Sequence, residues 1–210
     1  MKRTLYIIRH GQTDLNKQGI VQGRGINSPL NEHGRKQAAA FYNYYKDVPF
    51  DRIITSSLKR THQTVQAFIE DGIEWDQHPG LDEISWGIYE GKVHDEVLMA
   101  DFNRMIECWT NGELDVCVEG GESPNQMKER QEAALKDVLK ITKNDSNVLI
   151  CTHGRAMRML MCLLTKQPYS AMDSFPHTNT ALYKVIYDGK DFHIDEFYNT
   201  DHLDALDESV

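Results

Sequence analysis

Two histidines follow short apolar runs, and a glycine follows each of them. His10 comes soon after the run at residues 5–8, and His153 soon after the run at 148–150. Such runs are typical of strands buried on both faces of a parallel sheet. A neutral imidazole, with a reference pKa near ~6.5, carries a nitrogen lone pair that can attack a substrate. The glycine leaves no side chain to block an approaching ligand, so the pattern indicates two reactive imidazoles at strand ends.

Two arginines accompany these histidines. Arg9 directly precedes His10, and Arg60 lies one turn into the helix predicted after a strand at 51–55. In an open α/β sheet, ligands bind outside the carboxyl ends of neighbouring parallel strands. A planar guanidinium binds two phosphate oxygens at once, and helix N-termini after the strands would add N–H donors. The sequence therefore predicts a phosphate pocket built from two guanidinium groups and two imidazoles.

Paired histidines could instead hold a metal ion. Neither His10 nor His153 lies in a local ligand cluster such as H-E-x-x-H or H-x-H, although ligands can also assemble from distant segments. The neighbouring Arg9 and Arg155 would repel a cation. We therefore expect no metal site and no cofactor.

The order of several motifs resembles the histidine phosphatase superfamily, which also contains the cofactor-dependent phosphoglycerate mutases. The blocks are LYIIRHGQT at 5–13, SPLNEHG at 28–34, SSLKRT at 56–61, LDEI with WG and YEG within 81–91, GGES at 120–123, and THG at 152–154. Each block alone is a weak signal, but together they extend over most of the chain in the family's order.

The resemblance implies roles for individual residues. His10 would be the nucleophile that becomes phosphorylated, and Glu83 the general acid that protonates the leaving oxygen. Asp82 and Glu90 are neighbouring carboxylates, and only motif position favours Glu83 over them. The groups implied to bind the transferring phosphoryl group are Arg9, Arg60 and His153, assisted by Asn16.

Softer predictions concern the rim of the pocket. Gln22 and Gly23 follow the nucleophile on a loop and either line the entrance or are solvated. Gly154 would let a phosphate approach the backbone. Arg155 either faces the phosphate or points to solvent. Aromatic residues in the fourth block either contact the organic part of the substrate or pack in the core.

The function favoured by these residues is hydrolysis of a small phosphorylated metabolite. A phosphoglycerate mutase, which passes the phosphoryl group to a bound sugar acid, is the alternative. The family's mutases are longer and carry extra basic segments, whereas the interval between Glu83 and His153 here is rich in acids. Those acids also disfavour a highly anionic substrate, if they face it. A non-catalytic phosphoester-binding protein would lack part of the catalytic set, and all of that set is present here.

The elements that must position these residues alternate along the chain. Strands are predicted at 5–8, 51–55, 74–78, 147–151, 181–187 and 192–197, the last two joined by an Asp-Gly turn. Helices are predicted at 32–45, with Asn31 as N-cap, and at 58–70, capped by Ser56 or Ser57. One or two short helices are predicted at 93–111. Two more helices are predicted, one that starts at Ser123-Pro124 and ends at 143, and one at 155–164. The alternation predicts a three-layer α/β/α sandwich with a mostly parallel sheet and at least one antiparallel strand, phosphoglycerate mutase-like by the resemblance. We expect one domain over residues 1–210, with a cap inserted at about 90–121.

Composition restricts the partners. The formal net charge is −9, which disfavours binding to nucleic acids and to anionic membranes. The first apolar run has only four residues, shorter than a signal peptide requires, so a cytoplasmic protein is expected. The four cysteines match no zinc or redox spacing and are expected to be free thiols. The expected partner is a small phosphorylated substrate, and nothing in the sequence predicts the oligomeric state.

Overall fold

A computed structural model describes residues 2–93 and 95–207 of the chain. The strands of this part are β1 (Arg3–Arg9), β2 (Phe50–Thr55), β3 (Trp75–Gln77), β4 (Ser146–Thr152), β5 (Leu182–Tyr187) and β6 (Phe192–Asn199). The α-helices are α1 (Asp14–Lys17), α2 (Glu32–Tyr45), α3 (Lys59–Glu70), α4 (Glu96–Thr110), α5 (Pro124–Ile141), α6 (Gly154–Thr165) and α7 (Asp204–Asp207). Short 3₁₀ segments occupy Pro79–Leu81, Gly87–Tyr89, Tyr169–Ser174 and Asp201–Leu203.

The described strands form one sheet in the order β3-β2-β4-β1-β5-β6. β1 to β4 run parallel, and β5 lies antiparallel to both β1 and β6. The predicted α/β architecture is confirmed, and among the described strands β5 is the one that runs opposite to the others. The three strands that precede the chemistry-bearing motifs are β2, β4 and β1, which are direct neighbours as predicted.

Strand register brings the motif residues to the same level. Arg9 pairs with Thr152 across β1 and β4, and Thr55 pairs with Cys151 across β2 and β4. His10 and His153 each come directly after one of these paired residues, so both leave the sheet at the same edge. The apolar strands thus carry both imidazoles to one place.

Alternate residues of each central strand pack on opposite faces of the sheet. Leu5 and Ile7 lie in a core shared with α5 and α6, which also includes Trp109 of α4. Tyr6 and Ile8 lie in a second core shared with α2 and α3. Burial of both faces explains why β1 is an almost continuous apolar run.

Most helix boundaries follow the predicted signals. The side chain of Asn31 accepts a hydrogen bond from the N–H of Gly34, and Ser123 forms a capping box with Gln126. The segment predicted as one or two helices at 93–111 contains a single helix, α4. The loop after His10 contains the short helix α1, which the polar sequence did not reveal.

The prediction that Ser56 or Ser57 caps α3 is wrong. The N-cap is Leu58, which makes no side-chain cap bond. Ser57 is engaged elsewhere, because its N–H and its hydroxyl both donate to Asp82 Oδ1 at 2.8 Å.

The four cysteines are free thiols, as predicted. In the described part of the chain, no helix is both long and apolar enough to cross a bilayer.

Candidate active site

A cavity of about 200 Å³ opens at the carboxyl ends of the central strands. The predicted residues that line it are Arg9, His10, Asn16, Gln22, Glu83 and Gly154. Trp86, Phe102, Arg155 and His177 complete the polar and aromatic part of the wall. This volume is below the ~300–1,000 Å³ typical of drug-sized sites, so it suits a small metabolite.

His10 is held as a neutral imidazole. Its side chain is 3 % exposed, and its Nδ1 lies 2.7 Å from the carbonyl of Gly11. Because a carbonyl only accepts hydrogen bonds, Nδ1 carries the hydrogen and the lone pair is on Nε2. Burial, followed by the charges of Arg60 and Arg9, lowers the pKa of His10 well below its ordinary value. The ring is therefore neutral at physiological pH.

Arg9 places an unsatisfied donor beside this ring. Its Nη1 donates to the carbonyl of His177 at 2.6 Å and lies 3.0 Å from Nδ1 of the same residue. Its Nε is buried without a hydrogen-bond partner. Burial lowers the pKa of Arg9 to about 10, so the group stays cationic at neutral pH. A buried cationic N–H without an acceptor fits an anionic ligand in the cavity.

Arg60 and His153 lie behind His10. The two imidazole rings are 5.1 Å apart between centroids, and Arg60 is only 1 % exposed. Arg60 Nε donates to His153 Nδ1 at 3.1 Å, so the hydrogen of His153 is on Nε2, 2.7 Å from Ser56 Oγ. Neither residue lines the cavity. Direct contact with a phosphoryl group requires these present partners to be exchanged.

The rim residues divide into two groups. Asn16 and Gln22 line the cavity. Asn16 forms a capping box with Thr13, the N-cap of α1. Gln22 Nε2 donates to Thr13 Oγ1 at 2.7 Å. Gly23 does not line the cavity, contrary to the entrance prediction. A Cβ there would lie 2.0 Å from Glu90 Oε1, so glycine is needed because Glu90 packs against the backbone.

Glu83 is held by backbone N–H groups. Its Oε1 accepts from Ile84 at 3.0 Å and Ala156 at 2.9 Å, and its Oε2 accepts from Arg155 at 3.1 Å. Two of these donors belong to the first turn of α6, which was expected to offer its N–H groups to phosphate. That expectation is wrong for this conformation, because a carboxylate already occupies the helix N-terminus.

The competing carboxylates have other partners. Asp82 accepts from Ser57 and pairs with Arg24 at 3.3 Å, and Glu90 accepts from the N–H of Trp86 at 3.0 Å. Neither carboxylate lines the cavity. Position in the fold therefore favours Glu83 as the acid, in agreement with its place in the motif.

The comparisons with known proteins agree with this arrangement. The family model described as "Histidine phosphatase superfamily (branch 1)" matches residues 5–200. The chain belongs to the histidine phosphatase superfamily.

Relatives of the chain carry different names. The chain is 37 % identical over 133 residues to the fructose-2,6-bisphosphatase TIGAR of Bos taurus. This match covers 60 % of this chain and 47 % of that protein. The chain thus spans about half the length of that relative. It is 30 % identical to the probable phosphoglycerate mutase GpmB of Yersinia pestis (strain Pestoides F), over 97 % of each chain. The solved structure of Bacillus stearothermophilus YhfR superimposes with a TM-score of 0.84 at 29 % identity, covering 96 % of this chain and 99 % of that one.

Several residues that line the cavity were not predicted from the sequence or were left open by it. His177 lies in an irregular segment after β4 and α6, where no periodicity marks it. Its pKa is lowered to about 3 by burial and by Arg9, Arg158 and Arg155. Phe102 comes from the middle of α4. The sequence left open whether Arg155 faces the phosphate or the solvent, and in the fold it lines the cavity.

A larger depression of about 630 Å³ lies between α2 and the C-terminal helices. It is mostly apolar, and neither His10 nor His153 lines it. It contains none of the motif residues, so we assign the chemistry to the smaller cavity.

Proposed function

We propose that this chain is a phosphomonoester hydrolase that acts on a small phosphorylated metabolite through a phosphohistidine on His10. One observation carries the proposal: His10, a neutral imidazole with its lone pair on Nε2, lines the same cavity as Arg9, whose buried Nε–H has no hydrogen-bond partner. A nucleophile next to an unsatisfied cationic donor suits phosphoryl transfer, which depends on positioning and charge neutralisation.

In the first step, His10 Nε2 attacks phosphorus and the bond from phosphorus to the leaving oxygen breaks. Glu83 enters this step protonated, a form that the negative charge of the bound substrate favours, and gives its proton to that oxygen, so the organic product leaves as an alcohol. In the second step, water attacks the phosphohistidine, Glu83 takes a proton from the water, and the P–N bond breaks. Inorganic phosphate leaves and His10 returns to its neutral form.

The cationic groups neutralise charge in both steps. Arg9 binds the phosphoryl oxygens through its free Nε, and Asn16 assists from α1. Arg60 and His153 support the nucleophile from behind and exchange partners to reach the phosphoryl group. Gln22 and Gly154 complete the binding surface. No step uses a metal ion, so we propose a metal-independent enzyme.

A phosphoglycerate mutase is the second candidate, and the name of the Yersinia relative favours it. A mutase must hold a sugar-acid carboxylate and exclude water. The basic residues that the sequence offers for this, Lys92, Arg104 and Lys128, do not line the cavity. Arg130 is committed to Glu122 and to backbone carbonyls. Arg155 does line the cavity, but the interval between Glu83 and His153 carries no clustered pair of arginines for a substrate carboxylate, and this absence from the sequence favours hydrolysis.

Two further features belong to the proposal. Segment 90–121 acts as a cap within a single domain, because its helix α4 places Phe102 against the cavity. The enzyme works in the cytoplasm, which fractionation of cells that express it would test.

The deciding experiment is turnover of p-nitrophenyl phosphate in the presence of a chelator. Wild-type protein should release phosphate with chelator present and form an acid-labile, alkali-stable phosphoenzyme, whereas His10→Ala should do neither. His33→Ala, at an exposed histidine of α2, is the matched control and should behave as wild type. Normal turnover by His10→Ala would remove the nucleophile, and isomerisation of phosphoglycerate faster than its hydrolysis would favour the mutase.

A further inference from the structure

Arg155 presents a guanidinium to the cavity that the proposed phosphoryl transfer does not use. The residue is 7 % exposed and lines the cavity. Glu83 is the motif carboxylate that lines the same cavity. Its Nη1 donates to Asp173 Oδ1 at 2.7 Å, and its Cζ stacks 5.5 Å from the ring centre of Trp109. Among the described residues, no acceptor lies within hydrogen-bond distance of its Nε or Nη2. The side chain is therefore fixed in place with donors to spare.

The charge around Arg155 is not balanced. Asp173 is shared, because Arg158 donates to the same carboxylate oxygen. Two guanidinium groups thus face one carboxylate. When Arg9 and Glu83 on the same wall are included, three guanidinium groups face two carboxylates, which leaves a net positive charge beside the cavity. Nearby His177 adds no charge and cannot compensate, since its pKa is lowered to about 3. A partly buried cation without a full counter-charge favours an anionic ligand.

The acidic residues of the cap do not cancel this charge. Glu113, Asp115 and Glu119 do not line the cavity, and Glu122 is bound to Arg130. Acidic residues disfavour an anionic substrate only where they face it, and these do not line the cavity. The uncharged part of the wall, Trp86 and Phe102, offers apolar surface for a carbon skeleton.

We infer that Arg155 forms a second anion subsite and that the preferred substrate carries, besides the phosphate that is transferred, a second anionic group on its skeleton. That group is a carboxylate or a second phosphate ester, both of which a guanidinium fork binds. The inference rests on the proposed function, because it assigns the first phosphate to Arg9 and His10.

Binding to a catalytically dead protein tests this subsite without turnover. In a His10→Ala background, calorimetry would compare glycerol 3-phosphate with 3-phosphoglycerate, and fructose 6-phosphate with fructose 1,6-bisphosphate. Within at least one pair, the ligand with the second anion should bind about tenfold tighter, the scale of one charge-assisted hydrogen bond. The first pair reports a carboxylate subsite and the second a phosphate subsite.

Variants connect this preference to Arg155. Adding Arg155→Gln should abolish the preference, whereas Arg104→Gln, at an exposed arginine of α4, should keep it and thereby control for long-range charge. Asp173→Asn, which leaves Arg155 in place and removes its counter-charge, should increase the preference. This second variant decides the question even if Arg155→Gln is unstable.

Equal affinities within both pairs would overturn the inference. So would an Arg155→Gln variant that weakens both members of a pair equally, because that result would mean a packing role against Trp109. Failure of the proposed function is a separate result: wild-type protein would hydrolyse no phosphomonoester, while the binding ratios would still decide whether the subsite exists.

Discussion

The guanidinium of Arg130 donates two hydrogen bonds to the carboxylate of Glu122. Nε lies 2.6 Å from Oε1, and Nη2 lies 2.8 Å from Oε2. The other arginine donors bind the carbonyls of Gly80 and Asp82 at 2.9 Å and of Glu83 at 3.1 Å. The pair thus fixes the backbone of the segment that carries the proposed acid. The GGES motif acquires a role here: its glutamate orients the arginine that positions Glu83.

Weakening this pair should impair proton donation as well as stability. Both partners are largely buried, with side-chain exposures of 15 % and 12 %, and loss of one partner of a buried pair costs about 3–5 kcal/mol. Glu122→Gln keeps the shape and some hydrogen bonding, so we expect the lower end of that range from chemical denaturation. We also expect kcat to fall more for glycerol 3-phosphate than for p-nitrophenyl phosphate, because only the alkoxide needs a proton.

A surface pair on the same helix provides the control. Lys128 and Glu132 are both exposed and 3.9 Å apart, so Lys128→Gln should change the unfolding free energy by less than ~1 kcal/mol. If Glu122→Gln lowered kcat equally for both leaving groups, the pair would be structural only and would not position the acid.

Glu83→Gln tests the acid itself. The amide cannot donate a proton to the leaving oxygen, so hydrolysis of alkyl phosphates should slow by about 10²–10⁴-fold. Hydrolysis of p-nitrophenyl phosphate should slow much less, because its leaving group departs as an anion. Steady-state kcat values for the two substrates give the comparison. Equal losses for both would assign Glu83 to holding the first turn of α6 rather than to proton transfer.

The parts of the site that the sequence predicted are those that local patterns encode. His10 and His153 follow apolar strands, and strand pairing alone brings them together. The alternation of strands and helices along the chain followed from the spacing of apolar segments for the same reason. Asn31 was recognisable because an N-cap depends on its immediate neighbours.

The rest depended on contacts between distant segments. Glu83 accepts from Ala156, which is 73 positions further along the chain, and no spacing rule connects the two. Arg130 has its role through carbonyls near residue 80, and side-chain type does not reveal such partners. His177 lies in an irregular segment and is recognisable only because Arg9 binds it in the fold.

The close approach of α2 to the loop after His10 predicts an unusual effect of a helical glycine. A Cβ on Gly34 would lie 2.0 Å from the carbonyl oxygen of Gln12, a backbone atom that cannot simply rotate away. Alanine normally stabilises a helix by up to ~1 kcal/mol relative to glycine. Here we expect Gly34→Ala to lower the unfolding free energy by about 1–3 kcal/mol through overpacking, and to lower kcat/KM because the nucleophile loop shifts.

Denaturant titration and p-nitrophenyl phosphate kinetics measure both effects. Asn43→Ala, at an exposed position of the same helix, is the matched control and should change stability by no more than ~0.5 kcal/mol. A Gly34→Ala variant as stable as wild type would mean that the helix and the loop are free to separate.

Because two histidines are buried, we predict that the free energy of unfolding falls at acid pH. Burial lowers the pKa of His202 from 6.5 to about 4, and the pKa of His177 from 6.5 to about 3. Between the lowered value and 6.5 the unfolded chain binds a proton that the folded chain does not. The histidine contribution to stability is therefore complete above pH 6.5 and is lost as the pH falls below it, at up to ~1.4 kcal/mol per pH unit for each group.

His202→Gln isolates one of these groups, because His202 lies away from the cavity against Phe41. Denaturant titrations from pH 8 to pH 4.5 should give wild-type and variant curves that run parallel above pH 6.5. Below that pH the unfolding free energy of the wild type should fall more steeply than that of the variant. Near pH 5 the difference in slope should be about 1.4 kcal/mol per pH unit, which corresponds to one proton. The variant loses the hydrogen bond to Thr180 at every pH, so only the slope carries the test. Identical slopes below pH 6.5 would mean that His202 binds its proton in the folded state as readily as in the unfolded chain.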